Sequence, residues 1–113
     1  MTLLKILRLP EWAALAAAGE TAGAPVDLAD GYVHLSTSEQ IRETASRHFA
    51  GEGDLMLLRL DEAALGEALR WEPARGGAPF PHLYRPLRMT DVDWAAPLPL
   101  GPGGAHEFPE GIP

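Results

Sequence analysis

Asp30-Gly31-Tyr32-Val33-His34-Leu35-Ser36-Thr37-Ser38-Glu39-Gln40-Ile41 reads as a strand that carries a histidine into the start of a helix. Asp30-Gly31 has turn chemistry. In the extended run behind it Tyr32, His34 and Ser36 share one face and Val33 and Leu35 the other, because strand side chains alternate. Ser36-x-x-Glu39 and Thr37-x-x-Gln40 both fit a capping box, which places the helix start at about Ser36 to Ser38. A strand running into a helix N-terminus leaves unpaired N–H groups beside polar side chains, an arrangement suited to an anionic ligand. The same pattern also reads, with no ligand, as a core strand holding one satisfied histidine and an ordinary cap.

On the N-terminal side, Leu3 to Leu7 is a mostly apolar strand candidate. Pro10-Glu11-Trp12 opens an alanine-rich helix that Gly19 ends. Residues 19–30 read as a loop. On the C-terminal side a helix over 38–49 is expected, its apolar stripe built from Ile41, Ala45, His48 and Phe49. His48 on that stripe points to a structural role. Gly51 to Asp54 is a turn, and Leu55 to Leu60 fits a strand covered on both faces. Asp61 can cap a short helix through Leu69. Arg70-Trp71-Glu72 is extended up to Pro73, residues 74–81 form a loop, and His82–Arg85 and Leu87–Trp94 are strands separated by Pro86. Irregular mixing of strands and helices points to α+β. Residues 1–96 read as one domain. Residues 97–113 hold five prolines and four glycines and read as an extended tail.

The chain has 113 residues, enough for one core, and no apolar run of the length that spans a bilayer. It has no cysteine, so a disulfide and a thiolate nucleophile are both excluded; with no signal-peptide pattern, a cytoplasmic location is expected. The net charge of -7 argues against broad nucleic-acid or anionic-membrane binding. A small anionic ligand or nucleotide remains compatible, because eight of the nine basic residues are arginine, which grips phosphate or carboxylate in two places.

The four histidines, at 34, 48, 82 and 106, include no pair at helical ligand spacing, so no metal is expected. A metal-dependent hydrolase assembled in space from His34, His82 and Asp27 or Asp30 is the weaker reading. A second constellation runs from Trp71 to Tyr84, through Glu72, Arg75, Gly76, Gly77 and His82. Its glycines allow close backbone approach to a ligand, Arg75 suits a phosphate, and His82 and Tyr84 share a strand face.

The stretches DGYVHLSTSEQI, ETASRHFAG, DLMLLRLD and LRWEPARGGAPFPHLYRPL, with the early EWAAL, resemble the bacterial domain of unknown function 952 over roughly residues 3 to 95. The resemblance implies an ADP-ribosyltransferase-like fold: a split, twisted, mainly antiparallel sheet with flanking helices and a cleft between its halves. It implies NAD as a substrate. A weaker likeness extends to the tRNA 2′-phosphotransferase branch, around Val33-His34-Leu35-Ser36. On matching positions, His34 would contact the nicotinamide-side ribose, with Ser36 and Thr37 beside it and His82 and Tyr84 across the cleft. Glu72 is the nearest counterpart of the transferase glutamate. The family often carries serine where this chain has Ala24, and glycine where it has Arg85.

Two functional readings follow. In the first the protein uses NAD, by ADP-ribosyl transfer or glycohydrolase-like cleavage. His34, His82, Tyr84 and Glu72 form the catalytic set, and Tyr32, Ser36, Thr37 and Arg75 hold the ligand. In the second the same scaffold is a non-catalytic nucleotide- or partner-binding module.

Overall fold

Leu3 to Leu7 lies in strand β1 (Thr2–Arg8), and the apolar run at Leu55 forms β5 (Leu55–Asp61) beside it. The computed structural model describes residues 1–110 and Ile112, apart from the side chain of Arg75. In it β1 and β5 are the centre of an antiparallel four-stranded sheet, flanked by β4 (Ser36–Thr37) on one edge and β9 (Val92–Pro97) on the other. Both faces of the central strands are covered. Leu3, Leu7, Leu58 and Leu60 enter one core, and Leu4, Ile6, Leu55 and Leu57 the other.

The first core lies against a second antiparallel sheet of order β3 (Val33–His34), β7 (Ala78–Leu83), β6 (Leu69–Ala74). Val33, Leu35 and Leu83 supply its inner face. Helix α1 (Leu9–Ala18) adds Leu15, and α4 (Glu62–Leu65) adds Leu65. A two-stranded ribbon of β2 (Glu20–Thr21) and β8 (Leu87–Arg88) closes one end. The second core lies under α3 (Ile41–His48), whose Ile41 and Ala45 face the sheet with Phe49 just beyond. Leu98 and Ile112 of the C-terminal segment cover the same core, and Leu100 bridges back to His106. The architecture is α+β with antiparallel sheets throughout.

Several elements differ from the expectations, each for a local reason. The stretch 19–30 is not all loop: Pro25 and an acidic third residue start α2 (Pro25–Asp30), which Gly31 ends at φ 85°. Tyr32 to Ser36 is not one strand. The chain leaves the second sheet after His34, crosses at Leu35 and joins the first sheet at Ser36, so β3 and β4 pair with β7 and β1 respectively. The helix therefore begins at Ile41, later than expected. Thr37 and Gln40 do exchange the reciprocal hydrogen bonds of a capping box, Thr37 N to Gln40 Oε1 at 3.1 Å and Gln40 N to Thr37 Oγ1 at 3.2 Å, but around a turn that precedes the helix. Ser36 makes no such bond; its hydroxyl meets that of Thr44 at 2.9 Å.

Residues 74–81 are not a loop, and Pro73 does not end its strand. They belong to a hairpin in which Pro73 opposes Pro79 and Trp71 opposes Pro81. All three prolines fall in one register class of an antiparallel pair, and the alternate pairs can carry the ladder without them. Gly76 and Gly77, at φ 75° and 88°, make the tight reversal. His48, placed on the buried stripe by its spacing, is the last helical residue and is exposed.

Candidate functional site

Lys5 is the one charged residue inside the apolar run of β1, and it points into the core with Leu3 and Leu7 at 6% exposure. A buried ammonium requires a partner. Its Nζ donates to Asp27 Oδ2 at 2.8 Å and to the His34 carbonyl at 2.9 Å. Asp27, on the first turn of α2, is 1% exposed. Its Oδ2 also accepts the Ala24 N–H at 2.8 Å, and its Oδ1 accepts the His34 N–H at 2.9 Å and lies 2.6 Å from His34 Nδ1. Burial alone would push this carboxyl up. The His34 hydrogen bonds and the Lys5 charge outweigh it and hold Asp27 down at about 2. Burial pushes Lys5 down, and Asp27 offsets only part of that.

His34 is thus fixed from behind. On its other side Nε2 lies 2.9 Å from Asp30 Oδ2. Across the β3–β7 ladder its register partner is His82, with ring centroids 5.5 Å apart. The Tyr32 ring packs against both, at 4.6 Å from His34 and 4.2 Å from His82, and lies 5.1 Å from Tyr84. His82 is buried, and its Nδ1 lies 2.8 Å from Glu72 Oε1 on β6, which also accepts the Tyr84 hydroxyl at 2.6 Å. The Tyr84 bond, followed by that of His82, lowers the Glu72 carboxyl, and the same contact raises Tyr84. Desolvation and then the charges of Asp30, Glu72 and Asp27 raise Tyr32.

Where the chain changes sheets at Leu35, a cleft of about 870 Å³ opens. His34, His82 and Phe80 line it from the second sheet, Ile6 from the first and Phe49 from beyond α3. Arg8, Arg47 and His48 bring basic groups to it, and Ser36 and Thr44 bring hydroxyls.

Of the residues singled out from the sequence, His34, His82 and Ser36 meet at this cleft. Tyr32, Tyr84 and Glu72 join the same ring cluster without lining the cleft. Thr37 is engaged with Gln40, so the Thr37 N–H and hydroxyl are taken up inside the turn. The side chain of Arg75 lies outside the described residues. Among the described residues no group of three or more His, Cys, Asp or Glu is arranged to hold a metal ion.

Sequence reasoning missed Lys5, Arg8 and Arg47, and gave Asp27 no part beyond metal ligation. Two signals were present. A lone lysine in a strand of leucines demands a buried acid, and Ala24-Pro25-Val26-Asp27 has the form of a helix start whose aspartate reaches back to the chain.

The model of the family described as "Protein of unknown function (DUF952)" matches residues 6–95. No curated protein matches the chain. Among solved structures, the crystal structure of CC0527 from Caulobacter crescentus is 48% identical, covers 95% of this chain and 94% of its own, and superposes with a TM-score of 0.90. A double mutant of that protein gives 46% identity at the same coverage and TM-score 0.90. Its solution NMR structure gives 49% identity, covering 92% and 90%, and TM-score 0.82.

Proposed function

This chain belongs to the DUF952 family of proteins of unknown function, and we propose that its cleft takes up a nucleotide, with NAD as the substrate in an ADP-ribosyltransferase-like site. One observation carries the reading. His34, locked through Nδ1 by the buried Asp27, shares the cleft with His82 and with Arg8 and Arg47, whose guanidinium groups bond Glu52 and Glu43. A rigid imidazole suits a ribose hydroxyl, and the arginines suit a pyrophosphate. Phe80 and His82 offer ring surface to a base or to nicotinamide. Cleaving the nicotinamide–ribose bond develops positive charge on the sugar, which a nearby carboxylate stabilises.

A second reading, binding without turnover, is favoured by the carboxylates. Glu72 is taken up by His82 and Tyr84 and does not line the cleft. Glu11, the acidic side chain that does line it, accepts the Arg8 N–H at 2.9 Å.

Calorimetric titration with NAD, ADP-ribose and nicotinamide, coupled to chromatography of released nicotinamide, separates the two. An NAD-using enzyme binds NAD and releases nicotinamide, and His34→Asn stops release while the fold persists. A binding module titrates with nucleotide and releases nothing. Absence of any nucleotide binding would sink both.

A further inference from the structure

We propose that His34 and His82 are an acid–base pair that hydrolyses a nucleoside 2′,3′-cyclic phosphate in this cleft. The inference takes from the reading above only that the cleft admits a nucleotide. It adds a second activity: nicotinamide leaves as a neutral ring, so NAD cleavage has no use for a general acid, whereas opening a phosphate ester does.

The hydrogen-bond geometry gives the two rings different roles. Both nitrogens of His34 face carboxylates, Nδ1 at 2.6 Å from Asp27 and Nε2 at 2.9 Å from Asp30. An ionised carboxylate has no proton to give, so each of these bonds is donated by the ring, and the ring that makes both is the imidazolium. His34 is the acid. His82 has a carboxylate on one side only, Glu72 at Nδ1. Its Nε2 has no hydrogen-bond partner among the described residues, although its side chain is only 5% exposed and lines the cleft. With Nδ1–H donated to Glu72, Nε2 keeps its lone pair. His82 is the base.

Two imidazoles of opposite protonation on adjacent strands suit a displacement in which one proton is taken and one given. The hydroxyl of Ser36 is bonded to Thr44 and the chain has no cysteine, so the nucleophile is water. His82 Nε2 accepts a proton from water as its oxygen attacks phosphorus. The bond from phosphorus to one ribose oxygen breaks, and His34 gives its Nε2 proton to that oxygen, which takes the place of the exposed Asp30 carboxylate as acceptor of that hydrogen bond. Water adds across one P–O bond, and the two rings then re-equilibrate with solvent. Arg8 and Arg47 line the same cleft, and the phosphorane competes for their guanidinium groups with Glu52, which holds Arg8, and Glu43, which holds Arg47.

The test incubates the full chain with adenosine 2′,3′-cyclic phosphate, follows products by phosphorus NMR, and measures binding of that compound and of NAD by calorimetry. Formation of one monophosphate isomer supports the pair, provided that kcat falls at least ~100-fold in His82→Gln and in His34→Gln. Binding of the cyclic phosphate without hydrolysis overturns the pair and leaves the nucleotide cleft standing. Failure of both nucleotides to bind overturns both. Hydrolysis that persists in the two variants also overturns the pair. Should a histidine variant misfold, Glu72→Gln replaces it: a lower kcat at unchanged KM supports the assigned base, and unchanged kcat overturns it.

Discussion

His34 and His82 are register partners across the β3–β7 ladder, and each directs Nδ1 to a carboxylate from a different element, Asp27 of α2 and Glu72 of β6. The two acids sit in unlike surroundings. Asp27 is sealed in the core with Lys5, whereas Glu72 is half-buried beside exposed Tyr84. The first pairing is therefore part of the fold's foundation, and the second is adjustable from solvent.

Replacing Asp27 with asparagine removes the negative charge that buried Lys5 and part-buried His34 share. Removing one partner of a buried pair costs roughly 3–5 kcal/mol, so urea unfolding of Asp27→Asn should show a loss of that order. A loss under about 1 kcal/mol, the range of exposed pairs, would mean that the network contributes little.

Acid should destabilise the protein. Asp27 is held at about 2, and Glu72, Glu52 and Asp91 are also lowered. Carboxyls depressed in the folded state bind more protons when unfolded, so their stabilisation is full above the ordinary carboxylate range and is lost as pH falls through it toward 2. Thermal midpoints measured from pH 7 downward should hold to about pH 5 and then fall. A flat profile to pH 3 would contradict the assignment.

Glu72→Gln should behave unlike Asp27→Asn. Its partners His82 and Tyr84 remain bonded to an amide oxygen at an accessible edge, so the thermal midpoint should fall far less than in Asp27→Asn. The Tyr84 hydroxyl should titrate at lower pH than in the parent by ultraviolet absorbance, because the carboxylate that raises it is gone.

Leu98 is fully buried in the second core, and its N–H donates to Leu55 at 2.9 Å. Leu98→Ala should cost roughly 2–5 kcal/mol in chemical unfolding. An effect near zero would show that the C-terminal segment does not hold that core together.

At Arg85 the guanidinium forms a bidentate bond to buried Asp91, at 2.8 and 2.9 Å. Arg85→Gly leaves that carboxylate with the Arg88 N–H at 2.9 Å and should cost roughly 1–3 kcal/mol. Retention of parental stability would place the worth of Asp91 elsewhere.

Legibility in the sequence followed the range of the forces. Strands β1 and β5, the opening of α1 at Pro10 and its end at Gly19 were all readable, because alternation and capping act within a few residues. The meeting of His34 with His82 was not fixed by any local rule, since the hairpin that carries His82 looks like a proline-rich loop until a partner strand sets its register.

Residue order alone settled the fold class and the face on which the strand histidine lies, since backbone geometry imposes side-chain alternation wherever the strand pairs. Packing in three dimensions settled the rest. Lys5 and Asp27 stand 22 residues apart, and a buried charge finds its counterpart by exclusion of water, which local patterning does not encode. The same exclusion turns Asp27 toward His34, opens the cleft where the chain changes sheets, and gives the two imidazoles their unequal surroundings.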